Sequence, residues 1–179
     1  MTPSAGSGSA DPFAQLMADL DTPMVIVTTA AGGARAGCLV GFHAQCGIDP
    51  ALYAVWLSKA NHTYRIGALA NMFAVHFLAK ENRPLAELFG TLTGNEVDKF
   101  KHCAWSSGPE GVPLLDDCSN RIVGRRDAWL DPGADHVCLM IDPIGADHAD
   151  SGERLTFADV NELEAGHPVE DRQRPNPDE

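Results

Sequence analysis

The chain has 179 residues and a formal net charge of −12, and its sequence pI is about 4.8. Hydrophobic residues make up 44% and charged residues 21%, proportions that are typical of a soluble globular domain and exclude a wholly disordered chain. The acidic balance also argues against a nucleic-acid-binding surface, because the phosphates of a polyanion are bound by Lys and Arg. The 13 basic residues still suffice for one local anion site.

The sequence carries no signal for a membrane or for export. No apolar run approaches the ~20 residues that cross a bilayer, and residues 1–10 lack the apolar stretch of a signal peptide. The five cysteines are odd in number and irregularly spaced, which does not fit a disulfide framework. We therefore expect a cytoplasmic protein with no membrane partner.

The N-terminal part predicts an arm, a helix and a hairpin. Residues 1–10 are small and polar, so a disordered arm is expected there. Asp11-Pro12 is typical of a helix start, with Asp11 as the N-cap and proline in the first turn. β-Branched residues predict a strand over residues 24–29. The two glycines of Ala31-Gly32-Gly33 predict a hairpin turn, which leads into a second strand over residues 36–42.

The middle of the chain alternates strands with helices. Strands are predicted over residues 52–57 and 72–78, and they flank a helical pattern over 62–70. Pro84 then begins a further helix, and Asn95 is predicted to cap a shorter one.

The C-terminal part predicts a long hairpin and a tail. Strands over residues 118–129 and 136–144 are joined by a turn of Asp, Pro and Gly. The acidic, proline-containing composition predicts a tail over 159–179, which leaves residues 11–158 as the folded domain. This element order favours a mainly β fold with inserted helices, a small antiparallel barrel, over a doubly wound sheet.

Read in order, four stretches resemble the flavin reductase-like family, whose fold is the FMN-binding split barrel. They are residues 23–33, residues 39–50, residues 57–78 and residues 133–137. The second is similar to the family's Thr-Val-Ser-Ser-Phe loop, although Leu39-Val40-Gly41-Phe42 lacks two of the hydroxyls of that loop. The third contains Ser58-Lys59-Ala60-Asn61-His62-Thr63, which resembles the family's phosphate loop, and the fourth contains a Gly-Ala-Asp-His version of its Gly-Asp-His motif.

The resemblance implies an NAD(P)H-dependent reductase of FMN, with FAD or a deazaflavin left open as the flavin. It further implies a homodimer, and an acceptor such as a monooxygenase for the reduced flavin or its electrons. Two alternatives stay open. One is a flavin-binding carrier or sensor without rapid turnover, and the other is a deazaflavin- or haem-handling protein of the same barrel.

The best-argued site is an anion site just before the predicted helix at residue 62. Ser58 and Thr63 offer hydroxyl donors, Lys59 offers a full positive charge, and main-chain N–H groups at a helix start favour an anion. The predicted phosphate-binding residues are Ser58, Lys59, Ala60, Asn61 and Thr63. The alternative is that Asn61 or Thr63 only caps the helix.

The predicted slot for the flavin ring lies earlier in the chain. Gly41 permits close approach of the main chain to a ligand, and Phe42 or His43 could flank a flat ring. The alternative is a core strand with a glycine bulge. The predicted ring-binding residues are Leu39, Val40, Gly41, Phe42 and Gln45.

His136 is the one predicted catalytic residue. The resemblance places it near the flavin and the nicotinamide, where it would position a group or supply a proton, with Asp135 as its orienting partner. A purely structural histidine is the alternative. No metal site is expected, because the His and Cys residues lie far apart in sequence and zinc requires convergent ligands.

Overall fold

In a computed structural model, the described residues are 11–149 and 152–166. The predicted arm over residues 1–10 and residues 167–179 of the predicted tail lie outside them. The helices are α1 (Pro12–Ala18), α2 (His62–Gly67), α3 (Arg83–Thr91) and α4 (Phe157–Val160). The strands are β1 (Val25–Ala31), β2 (Ala34–Val40), β3 (His43–Ile48), β4 (Ala51–Ser58), β5 (Met72–Phe77), β6 (Trp105–Ser107), β7 (Pro113–Leu115), β8 (Arg121–Leu130) and β9 (His136–Asp147).

Seven of these strands form one antiparallel sheet in the order β2-β1-β5-β8-β9-β4-β3. The two edge strands, β2 and β3, follow each other in sequence and are joined by Gly41 and Phe42. The sheet therefore curls until its edges approach each other. Within the described residues no ladder pairs β2 with β3, so a seam stays open between them. The predicted mainly β fold with inserted helices, an antiparallel split barrel, is confirmed.

The barrel has a core on each side of its wall because side chains alternate along a strand. In β1, Val25 and Val27 face the interior, whereas Ile26 faces outward toward α3. All three are fully buried, and each contributes about 1.5 to 3 kcal/mol of apolar burial. The interior core is completed by residues from β2, β4, β5 and β9, among them Cys38, Val40, Val55, Leu57, Phe73, Val75, Val137, Leu139 and Ile141.

Helix α3 covers the outer face of the barrel, and its packing depends on a glycine. Pro84 lies in its first turn, as predicted, and Leu85 and Phe89 are buried on one face. A Cβ atom added at Gly37 would lie 2.7 Å from Cε1 of Phe89. Glycine at this position of β2 therefore allows the helix to approach the strand closely.

His76 is a fully buried histidine in β5. The main-chain N–H of Leu115 donates to its Nε2 at 3.1 Å, so the ring is neutral with its proton on Nδ1, which faces the carbonyl of Ile26 at 3.2 Å. Burial is the main cause that lowers the pKa of His76 to about 4. This side chain joins β5 to β1 and β7.

The long hairpin of β8 and β9 forms as predicted and contains a tight contact. Its register shifts at Gly124, a position at which a side chain could not fit. A Cβ atom there would lie 2.4 Å from Cγ2 of Ile141 and 2.5 Å from the carbonyl oxygen of Asp142. In contrast, Gly145 on β9 faces open space.

Two sequence predictions in the middle of the chain were wrong. The sequence predicts no strand between residues 43 and 51, but His43–Ile48 pairs with β4 as β3. Asn95 was predicted as a helix cap, but the local helical turn is Lys99–Lys101 and its cap is Asp98. The Asn95 side chain instead accepts hydrogen bonds from His62 and Arg65, so tertiary contacts with α2 replace the local cap.

The domain continues beyond the predicted boundary at residue 158. Val160 is buried and Leu163 packs against the core beneath α3. The N–H of Gly166 donates to the carbonyl of Gly90 at 3.1 Å. Val160 and Leu163, two apolar residues in an otherwise acidic segment, thus attach residues 159–166 to the barrel. Within the described ranges no helix is long and apolar enough to cross a membrane.

Candidate functional site

Phe42 of the predicted ring slot, the predicted phosphate loop and the predicted catalytic histidine meet at the end of β4. The N–H of Trp56 donates to the carbonyl of Phe42 at 2.9 Å, and Ser58 pairs with His136 across β4 and β9. The N–H of Lys59 donates to the carbonyl of Asp135, also at 2.9 Å. We call this group, formed by Phe42, residues 58–61, Asp135 and His136, the β4-end site.

The loop over residues 58–61 is a tight turn that leads into α2. The N–H of Asn61 donates to the carbonyl of Ser58 at 3.0 Å, and the N–H of Ala60 donates to Oγ of Ser58 at 3.3 Å. Asn61 occupies the N-cap position, but its side chain makes no capping hydrogen bond. Its carboxamide is therefore not used by the helix, and the capping interpretation does not hold for this residue.

Thr63 is the one predicted phosphate donor that faces the protein interior. Its side chain is buried and hydrogen bonds with Cys38. Burial raises the pKa of the Cys38 thiol, which keeps the thiol neutral near pH 7. Thr63 thus joins α2 to β2.

Lys59 lies in an ion pair with the β8–β9 hairpin. Its Nζ is 2.6 Å from Oδ1 of Asp131, the same oxygen that accepts the N–H of Gly133 at 2.8 Å. The lysine side chain is largely covered, with 15% of it exposed. An ammonium group has three N–H donors, so this pair leaves donors for a further acceptor.

Phe42 and His136 form the exposed face of the site. Their ring centroids are 5.4 Å apart and their planes are tilted by 58°. Phe42 is 65% exposed, so its ring is available to a ligand from the solvent side. Nδ1 of His136 lies 3.0 Å from Oδ1 of Asp135, which orients the ring and directs Nε2 away from that carboxylate.

The remaining predicted ring-binding residues offer little side-chain chemistry. Leu39 packs toward Gly90 of α3, and Val40 is buried in the interior core. A Cβ at Gly41 would make ordinary contact with Met24, so no bulge or strain requires glycine there. Gln45 donates to the carbonyl of Gly47 at 2.9 Å. These positions can offer a ligand mainly their main-chain groups.

The ring of His43 packs against Tyr53 and Phe77, and both of its nitrogens are engaged within the protein. Nε2 donates to the carbonyl of Pro23 at 2.7 Å, and Nδ1 accepts from the hydroxyl of Tyr53 at 2.6 Å. Burial lowers the pKa of His43 and raises that of Tyr53 to about 12, so both groups stay neutral near pH 7. Of the two candidates to flank a flat ring, Phe42 is the one in position.

Sequence reasoning missed a cavity of about 310 Å³ beside the site. It adjoins the phosphate loop through His62, the first residue of α2, and brings together Arg35 and the buried Lys99. No motif marks these two residues, because the cavity depends on the contact of β2 with a distant loop. In the part of the chain that the structure describes, no group of three His, Cys, Asp or Glu side chains could hold a metal ion.

Comparison with known proteins identifies several relatives. The profile of the flavin reductase like domain matches residues 17–164. The FMN reductase (NADH) RutF 2 of Rhizobium rhizogenes is 28% identical over 147 residues, which are 82% of this chain and 84% of that protein. The ferric-chelate reductase (NAD(P)H) of Archaeoglobus fulgidus is 25% identical over 145 residues, 80% of this chain and 85% of that protein.

Solved structures share the fold. The flavin reductase domain protein from Arthrobacter sp. FB24 has a TM-score of 0.74 at 18% identity, over 88% of this chain and 94% of that one. The NADH:FAD oxidoreductase SgcE6 of Streptomyces globisporus also has a TM-score of 0.74, at 22% identity, over 87% of this chain and 94% of that one.

Proposed function

Because this chain belongs to the flavin reductase-like domain family, we propose that it catalyses the NAD(P)H-dependent reduction of a bound flavin, FMN in the first instance. The observation that carries the proposal is the convergence of Phe42, the turn over 58–61 and His136 at the end of β4. These groups supply what a flavin requires from a protein: an anion site, a flat apolar surface and polar groups at the ring edge.

The residues of the β4-end site fit such a ligand. Lys59 offers a positive charge with donors left over from Asp131, and the unused carboxamide of Asn61 adds a further donor for a phosphate. The exposed ring of Phe42 offers a surface on which a flat heterocycle can stack.

The flavin, when bound, supplies the hydride-accepting chemistry. The protein has to hold the flavin and the nicotinamide together in the reactive geometry, which by itself removes a large part of the barrier. His136 would position a ligand group or hold a proton at Nε2, because Asp135 fixes the opposite side of its ring.

The proposal extends to partners and location. The reduced flavin or its electrons would pass to an acceptor such as a monooxygenase. In support, the chain is 29% identical, over 127 residues, to the reductase component of the flavin-dependent trigonelline monooxygenase of Acinetobacter baylyi. That match covers 66% of this chain and 37% of the other. The proposal also includes a homodimer, and the five free thiols favour the cytoplasm.

Anaerobic mixing of the protein with FMN and NADH tests the function. With FMN and NADH in excess over the protein, we expect the visible absorbance of oxidised flavin to be lost over many turnovers, at a rate that depends on the amount of protein. A stable flavin complex that NADH does not bleach would refute the reductase and support the carrier. Absence of any flavin binding would refute both.

A variant series tests the phosphate role of Lys59. Lys59→Ala should weaken FMN binding about tenfold or more, because a hydrogen bond to a charged group is lost, and should leave riboflavin binding nearly unchanged. Lys101→Ala removes an exposed lysine and serves as the control. Asp131→Asn removes the ion-pair partner but keeps the ammonium, so FMN binding should persist. Equal losses for FMN and riboflavin in Lys59→Ala would refute the role.

A further inference from the structure

The cavity beside α2 lies between edge strand β2 and the loop that precedes the helical turn at Lys99–Lys101. Its volume is about 310 Å³, which is ample for a phosphate or a diphosphate. One wall is the main chain of residues 33–37, the other is residues 94–100, and His62 closes the end nearest the β4-end site.

Lys99 contributes a buried positive charge to this cavity. The residue is 5% exposed, and its Nζ donates to the carbonyls of Phe89 at 2.9 Å and Gly37 at 3.2 Å. Across residues 11–149 and 152–166, no carboxylate lies within ion-pair distance of this ammonium. Two main-chain carbonyls use two of its three donors, and the ring centroid of Phe89 lies 5.4 Å from Nζ, so the ammonium has polar and aromatic contacts but no counter-ion. A buried charge without a counter-ion is costly, and an anion in the cavity would offset that cost.

The edge of β2 adds main-chain donors. Gly32 and Gly33 both have positive φ and form a two-residue turn. Ala31 and Ala34, which flank this turn, are therefore the hydrogen-bonded pair that closes the hairpin. Hydrogen-bonded and non-hydrogen-bonded residue pairs alternate along an antiparallel ladder. The next pair, Ala30 and Arg35, is therefore non-hydrogen-bonded, and the N–H of Arg35 points away from β1.

The same alternation turns the N–H of Gly37 outward. The carbonyl of Gly37 points to the same outer side, where it accepts a hydrogen bond from Nζ of Lys99. Because β2 is an edge strand, no further strand among the described residues pairs with these groups, and both residues line the cavity.

Arg35 provides a second cation that is already held in place. Its guanidinium carbon lies 4.6 Å from the ring centroid of Trp105, and it forms an ion pair with Asp98 at 3.6 Å. The carboxylates at the cavity are thus Asp98, which this arginine compensates, and Glu96, which is exposed. The buried ammonium of Lys99 has no such carboxylate partner in the part of the chain that the structure describes.

We propose that this cavity is an anion site that binds a phosphate of the adenosine diphosphate part of a dinucleotide. The choice of a dinucleotide rests on the proposed reductase, because both FAD and NAD(P)H contain that part whereas FMN lacks it. Lys99, the guanidinium of Arg35 and the main-chain N–H groups of Arg35 and Gly37 are the donors. The position of His62 places the site next to the loop proposed for the flavin phosphate.

Amide chemical shifts test the site in the full-length protein. Titration with inorganic phosphate, and then with ADP, should move the N–H resonances of Arg35 and Gly37 in a saturable way. Lys99→Met should weaken both titrations about tenfold or more. Lys101→Met, on the same helical turn but exposed, should leave them unchanged. If Lys99→Met does not give a folded spectrum, Arg35→Gln takes its place, with a smaller expected loss because this side chain is partly exposed.

Each outcome decides the proposal. Arg35 and Gly37 resonances that stay in place, or that move equally in Lys99→Met, would refute the site. FAD and NADH, titrated separately, identify which dinucleotide moves the Gly37 resonance, and if neither does, the dinucleotide assignment fails. Riboflavin reduction by NADH is measured in parallel. If the anion titration fails but riboflavin is reduced, only this inference is refuted. If the anion binds but riboflavin is not reduced, only the proposed reductase is refuted.

Discussion

Acidification should destabilise the protein through His76. The pKa of this side chain is lowered from 6.5 to about 4, so between these values the unfolded chain binds a proton that the folded chain excludes. Stability is therefore full above about pH 6.5, falls as the pH decreases, and loses nothing more from this group below about pH 4. One pKa unit corresponds to about 1.4 kcal/mol, so the loss between about pH 7.5 and pH 4.5 is about 2 to 3 kcal/mol.

The structure explains why the proton is excluded. Nε2 of His76 accepts the N–H of Leu115, and protonation would place two N–H groups against each other in a site without water access. His76→Gln offers an oxygen acceptor at a similar reach and does not titrate. The free energy of unfolding in urea, followed by tryptophan fluorescence at several pH values, should show a slope that is shallower in this variant than in the wild type by about 2 to 3 kcal/mol over the range.

His102→Gln is the matched control because His102 is exposed, and its slope should equal that of the wild type. Identical slopes for His76→Gln and the wild type would contradict the reasoning. An NMR titration of the His76 ring gives an independent measurement. A pKa near 6.5 in the folded protein would contradict it even if the variant failed to fold.

Three further predictions concern packing and the β4-end site. Gly124→Ala should lower the free energy of unfolding by about 2 kcal/mol or more, because the added Cβ would overlap main-chain atoms. Gly145→Ala, in open space, should change it by less than about 0.5 kcal/mol. Urea unfolding measures both variants, and equal effects would contradict the contact at Gly124. Phe42→Ala should leave stability nearly unchanged but weaken flavin binding several-fold, as measured by fluorescence titration, and a large loss of stability would show that the ring is structural. His136→Gln should raise the KM for NADH or lower kcat while leaving flavin affinity within about twofold, measured by steady-state kinetics at several pH values; unchanged kinetics would remove His136 from the proposed mechanism.

Local signals in the sequence were enough to predict most elements of the barrel. Asp11-Pro12, the two glycines before β2 and the Asp-Pro-Gly turn before β9 each determine the adjacent chain direction through one or two backbone conformations. β3 was not predicted because His43, Gln45 and Gly47 do not give the alternation of apolar and polar residues that indicates a strand. This strand is specified instead by its pairing with β4.

The site was predictable only in part. The order of Phe42, Lys59 and His136 along the chain carried the resemblance, and the sheet register brings these residues together. Side-chain direction was not predictable, and so Thr63 and Leu39 were assigned to a ligand although one faces Cys38 and the other α3. Lys99 is buried by a contact across 62 residues of sequence with Gly37, which local patterns do not encode.

The seam between β2 and β3 is the place where the described part of the barrel wall has no ladder hydrogen bonds. Shear along it breaks no ladder bond, whereas the same slip between β4 and β9 would break several. The cavity wall belongs to β2, and the β4-end site belongs to the strands on the opposite side of that gap. The spacing between the two therefore depends on the Gly41-Phe42 connection and on the contact of Thr63 in α2 with Cys38 in β2, and not on a strand ladder.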